Sequence, residues 1–162
     1  MLLDWNPSLF TMNLIECILS LIKERATLMQ IKEVRIMKLQ APWVEAPRFG
    51  PSVPEYREIL VVEIETASGI IGMGYLMLLG GGAETIKACL KELIIPELLG
   101  RNITDVEGIW TQLWKKNYWV GRMGITVMAQ SAIDIALWDA VGKSVGCLLY
   151  TSPSPRDRTR SR

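Results

Sequence analysis

The sequence of 162 residues contains no histidine. Histidine is the usual general base near neutral pH and the commonest metal ligand, so its absence excludes Ser-His-Asp and Cys-His nucleophilic sites. It also excludes zinc sites built on paired histidines. Any chemistry performed by this chain must therefore depend on carboxylates, lysine, tyrosine or cysteine.

Cysteine, charge excess and long apolar runs are also scarce. The three cysteines, Cys17, Cys89 and Cys147, are far apart and odd in number, which favours reduced thiols and a cytoplasmic protein over a disulfide framework. With 18 basic and 17 acidic side chains the net charge is only +1, so we expect no nucleic-acid partner. The longest apolar run, residues 9–22, is broken by polar residues, and we expect no membrane span.

Composition divides the chain into three regions, and its length suits one domain with a hydrophobic core. Residues 29–147 carry regular hydrophobic patterns and are predicted to form that domain. Residues 1–28 are predicted to be an N-terminal extension outside the domain, and the alternative is an amphipathic helix that docks on a membrane or a partner. Residues 148–162, rich in Ser, Pro and Arg, are predicted to be a disordered and artefactual tail, and the alternative is an acid- or RNA-binding arm.

Within the central region, hydrophobic residues first repeat every second position. This period predicts a strand with one irregularity over residues 31–40 and a hairpin over residues 57–76 with its turn at Ser68 and Gly69. Gly72 and Gly74 in the hairpin should leave room for an element that packs closely over them.

From residue 83 onward the period lengthens to that of a helix. One apolar face is expected over residues 83–95, and Thr104 with Glu107 has the spacing of a capping box that would start a second helix. A third helix of more than four turns begins near Ile125 and carries a face of small residues. The prediction is an α+β fold, a three-stranded antiparallel sheet followed by a three-helix bundle.

Two connections stand out as candidate binding segments. The loop over residues 42–55 is unusually long for a compact domain, and long loops of this kind are often lids or binding loops. The hydrophobic core does not require four side chains of this loop, those of Trp43, Glu45, Arg48 and Phe49. The guanidinium of Arg48 can pair with a substrate carboxylate. Before the first helix, Gly80, Gly81 and Gly82 favour a hinge or substrate-covering loop over a phosphate cradle.

Other polar and aromatic groups favour structural roles. Asp134 and Asp139 are five residues apart on one helix and should serve in surface or interface hydrogen bonds, while Glu63 and Glu65 should be solvated on an outer strand face. The tryptophans of the helical region should pack in the core: Trp110, Trp114, Trp119 and Trp138.

Three stretches of residues 29–147 resemble the N-terminal capping domain of the enolase superfamily, in its mandelate racemase/muconate lactonizing enzyme branch. They are IETASGIIGMGY at residues 64–75, TDVEGIW at residues 104–110, and above all SAIDIALWDAVGKSVG at residues 131–146. The resemblance implies a domain that closes over a (β/α)₈ barrel and contacts substrate through two loops, here residues 42–55 and 76–82. Substrate-binding residues would then be Trp43, Glu45, Arg48, Phe49, Gly80, Gly81 and Gly82.

The family resemblance also implies the chemistry of the parent enzyme, in which Mg²⁺ stabilises the enediolate formed when a proton is removed α to a carboxylate. We expect the parent to be an acid-sugar dehydratase or racemase, a lyase or isomerase that acts on a small carboxylate and forms a homo-oligomer. The metal ligands and the acid/base groups of such enzymes lie on the barrel, so no catalytic or metal-binding residue is assigned in this chain.

After Cys147 the sequence departs from the family pattern, and the roughly 250 residues that a barrel requires are missing. The C-terminal TIM barrel is therefore predicted to be absent, and the chain is interpreted as a fragment that binds no metal and is inactive alone. The alternative is a standalone protein-interaction module without catalytic activity, which would use the N-terminal helix and an exposed Ala-rich face of the third helix to dock a partner.

Overall fold

The structure is a computed structural model that describes residue 16 and residues 19–24, 26–43, 56–79 and 81–147. Helical residues at 19–24 and 26–28 precede three strands, β1 (Ile31–Pro42), β2 (Tyr56–Thr66) and β3 (Ile71–Leu78). Three α-helices follow, α1 (Ala83–Cys89), α2 (Val106–Lys116) and α3 (Ile125–Ser144). The strands form one antiparallel sheet in the order β1-β2-β3, which confirms the predicted α+β class.

Side chains of the sheet alternate between a face covered by helices and an open face. On β2 the covered positions Leu60, Val62 and Ile64 have no solvent exposure, as the two-residue period predicts. The turn between β2 and β3 contains Gly69 at φ +82°, a conformation that favours glycine. The irregularity predicted in β1 is a register shift between Ile31 and Glu33, earlier in the strand than the sequence pattern indicated.

Helix α3 packs directly on β3 through small residues on both elements. A Cβ atom at Gly72 would lie 2.1 Å from the carbonyl oxygen of Ala136, and one at Gly74 would lie 2.1 Å from that of Ala132. The predicted close approach over these glycines is therefore confirmed. The alanines of α3 that make this contact possible are buried, so the exposed Ala-rich face on which a standalone docking module would depend is wrong.

Polar side chains of α3 also bind the outer strand of the sheet. The backbone N–H of Met73 donates to Oδ2 of Asp139 at 2.8 Å, and Nζ of Lys143 donates to the carbonyl oxygen of Ile71 at 2.8 Å. Lys143 and Asp139 form an ion pair at 2.7 Å on the same helix. The interface hydrogen bonding predicted for Asp139 is thus confirmed.

The first helical segment changes its winding along its length. After α1 the chain forms a π-helix at Leu90–Ile94 and a 3₁₀ turn at Ile95–Glu97. The sequence period predicted one helix over residues 83–95, and its buried side chains Ile86, Leu90 and Ile94 do face the core. Pro96 lies within the 3₁₀ turn, where its missing N–H ends the helical ladder.

The capping box predicted at the start of α2 is wrong. The N-cap residue is Asp105, and no side chain makes a capping hydrogen bond there. The amide and hydroxyl groups of Thr104 instead donate to Oδ1 of Asn102, at 2.9 and 2.8 Å. Asn102 forms a local turn that takes the threonine away from the helix, and competition of this kind is common for asparagine.

Tryptophan packing differs from the sequence prediction as well. Trp119 is 91% exposed, and Trp114 and Trp138 are also at the surface. The guanidinium of Arg122 lies 5.2 Å from the ring centroid of Trp114 and 4.6 Å from that of Tyr118. The helical spacing of these tryptophans therefore did not predict their burial correctly. No described helix or strand covers their large side chains.

Residues 26–28 contact the domain through backbone groups. The carbonyl oxygen of Leu28 accepts a bond from the N–H of Ser68 at 2.9 Å, and that of Ala26 accepts one from Asn102 Nδ2 at 3.2 Å. The predicted division into residues 1–28, 29–147 and 148–162 stays a prediction, since most of the first and all of the last region lie outside the described residues. Among the described helices, none is long and apolar enough to cross a membrane.

Candidate functional site

Both candidate loops leave the sheet at the same end. β1 and β3 are each antiparallel to β2, so they run in the same direction and end at the same edge. Trp43 follows the last residue of β1, and Gly81 and Gly82 follow shortly after β3. The structure thus places these three predicted substrate-binding residues at one end of the sheet, whereas Glu45, Arg48, Phe49 and Gly80 lie outside the described residues.

Trp43 is held beside a cation at this end of the sheet. The guanidinium carbon of Arg57, near the start of β2, lies 5.5 Å from the centroid of the Trp43 ring. Both Nε1 of Trp43 and Nε of Arg57 are buried and have no hydrogen-bond acceptor among the residues that the structure describes. Two neighbouring donors therefore lie next to the first loop, and N–H donors of this kind suit a carboxylate or carbonyl acceptor.

The glycine segment has the backbone geometry of a hinge. Gly81 and Gly82 have φ values of +84° and +94°, which other residues adopt only with strain. A Cβ atom at either position would meet nothing within 4 Å, so space around this segment is open. Gly82 is also the N-cap of α1 and has no side chain to offer the first turn.

A buried carboxylate lies beside the start of α1. Glu58 is 5% exposed, and the backbone N–H of Ala83, the first residue of α1, contributes to the lowering of its pKa. Nζ of Lys38 lies 2.7 Å from Oε1 of Glu58, and Nε2 of Gln40 donates to the same atom at 3.0 Å. This cluster connects β1 and β2 with the start of α1, next to the second loop.

The protonation of this cluster follows from its hydrogen bonds. The bond from Lys38, then the bond from Gln40, holds the pKa of Glu58 below its ordinary value, and burial opposes this shift. The same bond to Glu58 raises the pKa of Lys38. Glu58 is therefore a carboxylate and Lys38 an ammonium at neutral pH, which makes them a fixed ion pair rather than a proton-transfer pair.

Sequence reasoning missed Glu58, Lys38, Gln40 and Arg57. A usable signal was present, because Glu58 shares its parity on β2 with the buried Leu60 and Val62. A charged residue at a buried position requires a partner, and β1 offers Lys38 on the same face. Arg57 had no comparable signal, since its contact with Trp43 depends on the path of the chain after β1.

Glu63 and Glu65 on the open face are not simply solvated, so that prediction is wrong. Nη1 of Arg35 lies 2.6 Å from Oε2 of Glu65, and its Nε lies 3.1 Å from Oε2 of Glu63. Lys32 adds a further ion pair to Glu65 at 3.0 Å. The bonds from Arg35 and then Lys32 lower the pKa of Glu65. Both carboxylates therefore belong to an ion-pair network across β1 and β2.

The described residues do not fit a Mg²⁺ site. Magnesium is bound through clustered carboxylate oxygens, and no group of three or more Asp, Glu or Cys side chains that could hold an ion occurs within the described ranges. The carboxylates nearest the loops, Glu58 and Glu84, are directed toward Lys38. We therefore derive no metal-dependent step for these residues.

A separate surface depression lies between α2 and α3. Its volume is about 250 Å³, and Trp110, Asp134 and Trp138 contribute to its wall. Burial raises the pKa of Asp134 above its ordinary value. Of the predicted substrate-binding residues that the structure describes, Trp43, Gly81 and Gly82, none lines this depression.

A family model described as "Mandelate racemase / muconate lactonizing enzyme, N-terminal domain" matches residues 50–151. The architecture of a three-stranded sheet followed by helices also recurs in solved enolase-superfamily enzymes. The chain belongs to the mandelate racemase/muconate lactonizing enzyme family of the enolase superfamily and matches its N-terminal domain. The family and fold that the sequence motifs predicted are confirmed.

The similar proteins include dehydratases and a racemase. D-mannonate dehydratase of Xanthomonas oryzae pv. oryzicola is 37% identical over 102 residues, which are 63% of this chain and 24% of that protein. L-talarate dehydratase from Polaromonas sp. JS666, complexed with Mg and L-glucarate, aligns with a TM-score of 0.66 at 30% identity, over 72% of this chain and 33% of its own. A racemase from Streptomyces coelicolor A3(2) with bound magnesium aligns with a TM-score of 0.67 at 28% identity, over 71% and 32%. The chain thus spans a quarter to a third of the length of these relatives.

Proposed function

We propose that residues 29–147 form the capping domain of a Mg²⁺-dependent acid-sugar dehydratase or racemase and position its carboxylate substrate. The observation that carries this proposal is the shared location of the two loops at one end of the sheet. A cap contributes to specificity only if its loops reach the same site, and the departure of both loops from one end of the sheet supports this condition. The similar proteins are dehydratases and a racemase, which supports the substrate class.

The described residues support a positioning role in three ways. Trp43 presents a ring and a donor that has no acceptor among the described residues, and Arg57 adds a positive charge beside it. Gly81 and Gly82 allow the second loop to change its backbone path. Glu58, which is held by Lys38 and Gln40, lies at the base of that loop next to the start of α1. A flexible loop on a fixed base is the arrangement expected of a segment that closes over substrate.

In this proposal the chain's own residues bind and orient substrate and exclude water, and they neither abstract nor donate the α-proton. Magnesium supplies enediolate stabilisation in the complete enzyme, and its ligands are assigned outside the described residues because the carboxylates described here do not fit the ion. The 162-residue chain alone is accordingly expected to be inactive. A cytoplasmic location and a homo-oligomeric parent stay predictions.

A two-part experiment tests the proposal. The purified chain, incubated in D₂O with Mg²⁺ and with mannonate, galactonate, arabinonate or glucarate, should show no α-proton exchange and no dehydration by NMR. Residues 29–147 should then replace the matching domain of L-talarate dehydratase, and this chimera should retain Mg²⁺-dependent dehydration with an altered order of substrate preference. Reproducible turnover by the isolated chain would refute the assignment of chemistry to other parts of the enzyme.

Two variants of the chimera separate substrate positioning from stability. Trp43→Ala should raise KM for the acid sugar, with a smaller effect on kcat, because it removes a binding contact. Leu99→Ala is the control, since Leu99 is an exposed apolar residue that lies next to Gly100, whose N–H binds the carbonyl oxygen of Ile31 at the other end of β1. Equal kinetic effects of the two variants would contradict a substrate-facing role for the loop end of the sheet.

A further inference from the structure

We propose that a groove between α2 and α3 binds an arginine side chain that a partner polypeptide presents. The groove is defined here by the depression with Trp110, Asp134 and Trp138 in its wall, together with the depressions that adjoin it along α2. The described residues of the two candidate loops do not line it. The inference therefore does not depend on the proposed enzymatic function.

Residue spacing on the two helices brings aromatic and acidic side chains to the same space. On α3, Asp134 and Trp138 are four residues apart and therefore lie on one side of the helix. On α2, Glu107 and Trp110 are three residues apart and likewise share a side. All four side chains line one depression of about 250 Å³. Two indole rings and two carboxyl groups thus border a single binding space.

Asp134 lacks a partner for its charge. Its carboxyl group accepts no hydrogen bond and forms no ion pair within the part of the chain that the structure describes. Partial burial raises its pKa, because the charged form loses contact with water and gains no compensating group. Asp139 on the same helix differs, since Lys143 and the N–H of Met73 both bind it. A cation supplied from outside would compensate the half-buried charge of Asp134.

A guanidinium group fits this space better than an ammonium group does. The guanidinium plane stacks on an aromatic ring while its edge donates to a carboxylate, whereas an ammonium group is a strongly hydrated point charge. The chain already uses such stacking, because the guanidinium of Arg122 lies over the rings of Trp114 and Tyr118. No cation is stacked on Trp110 or Trp138 within the described ranges. The two free rings and Asp134 together therefore match an arginine side chain.

The length of the groove favours a polypeptide over a small molecule. Trp110 and Thr111 line a second depression of about 280 Å³, and Thr111 with Glu107 lines a third of about 540 Å³. These depressions adjoin the first through shared residues and continue along α2. Lys115 belongs to the wall of the third depression and not to that of the first. An extended chain can therefore follow the groove with its arginine placed beside Asp134.

Titration with a short peptide, followed through the indole N–H resonances in ¹⁵N NMR spectra, tests the proposal. The test protein is the 162-residue chain with its four tail arginines replaced by glutamine, so that they do not compete: Arg156, Arg158, Arg160 and Arg162. A capped peptide with a central arginine, flanked on each side by glycine and then leucine, should bind with a millimolar Kd and shift the resonances of Trp110 and Trp138. The same peptide with citrulline, which is uncharged, should bind at least about tenfold more weakly, and a lysine peptide should have an intermediate affinity.

Two pairs of variants locate the bound arginine. Asp134→Asn should weaken binding at least about tenfold, because the amide cannot form the ion pair. Asp139→Asn is its matched control on the same helix and should leave the affinity unchanged. Trp138→Leu should weaken binding about threefold or more through loss of the stacked ring. Trp119→Leu is the control for that change, because Trp119 is exposed and does not line the groove.

Circular dichroism and thermal melting show whether each variant is folded. With folded protein, the proposal is overturned if the arginine peptide shifts neither Trp110 nor Trp138, or if the citrulline peptide binds equally well. Equal losses from Asp134→Asn and Asp139→Asn would also overturn it. Agmatine, which carries a guanidinium group without a peptide chain, should bind more weakly than the arginine peptide. Equal affinity for agmatine would overturn the assignment to a polypeptide and leave a site for small guanidinium compounds.

Discussion

The covered and open faces of the sheet are in different environments and are built from different residue types. The covered face combines branched aliphatic side chains on β2 with Gly72 and Gly74 on β3, so that the backbone of α3 approaches the strand directly. The open face uses methionine, tyrosine and charged residues. Flexible methionine and amphipathic tyrosine tolerate water and adapt to a partner, whereas glycine against alanine leaves no tolerance for added atoms.

This difference teaches that sensitivity to substitution should depend on the face and not on the strand. Neighbouring residues of β3, such as Met73 and Gly74, have opposite environments although they are adjacent in the chain. The following predictions test the contrast, beginning with the substitution expected to have the largest effect.

Gly74→Ala should destabilise the domain by about 3 kcal/mol or more, because the added methyl group would overlap the carbonyl oxygen of Ala132 and force α3 away from β3. Urea unfolding followed by circular dichroism measures this loss. Gly69→Ala is the control, since a Cβ atom there meets nothing and costs only the strain of a positive φ, about 1 kcal/mol. Equal losses at the two glycines would contradict direct helix-on-strand packing.

Truncation of aliphatic side chains should show the same contrast between the faces. Leu60→Ala leaves a cavity on the covered face and should cost about 3 kcal/mol, within the usual range for buried leucine. Met37→Ala, on the open face, should cost under about 1 kcal/mol when measured in dilute solution. If both variants lost the same stability, the open face would be buried in the folded monomer.

Asp139→Ala should cost about 1 kcal/mol, because the N–H of Met73 loses its acceptor and Lys143 loses its ion-pair partner. Asp139→Asn keeps an oxygen acceptor for that N–H and should retain most of the stability. Amide hydrogen exchange at Met73 distinguishes the variants, since exchange should accelerate in the alanine variant and change little in the asparagine variant.

Acid should reduce the stabilisation that ionised carboxylates provide on both faces of the sheet. Lys38 lowers the pKa of Glu58 on the covered face, and Arg35 lowers that of Glu65 on the open face. A lowered native pKa gives stability that is present above the unfolded value of 4.5 and is lost as the pH falls through the native value. Unfolding free energy should therefore decrease below about pH 4.5. Glu58→Gln and Glu65→Gln should each make this decrease shallower, and an unchanged pH profile in both variants would contradict the assignment.

Local sequence patterns predicted the fold correctly. Predictions were wrong where a side chain had more than one possible interaction partner. Period-two and helical patterns located the hairpin and α3, and the family motif at residues 131–146 identified the domain. The capping box failed because Asn102 competes for Thr104. Glu63 and Glu65 have the outward parity that was predicted, but their ion pairs depend on the register of β1, which no local pattern encodes.

The candidate site was predictable only in its backbone. Loop length and glycine content pointed to the segments around Trp43 and Gly81, and the strand order then placed them at one end. Glu58 and Arg57 were missed because their roles arise from contacts across strands and with the start of a helix. A charged residue at a buried parity is the general signal that would have found the first of them.

The contact of Asp139 and Lys143 with Met73 and Ile71 has a consequence for self-assembly into fibrils. Exposed strand edges serve as templates on which further chains add, and charged side chains at an edge oppose this growth. Here a helix of the same chain binds two of the backbone groups of β3 that an incoming strand would need, the N–H of Met73 and the carbonyl oxygen of Ile71. Addition of a strand along the start of β3 first requires these contacts of α3 to break, so polymer growth there is coupled to local opening of the domain.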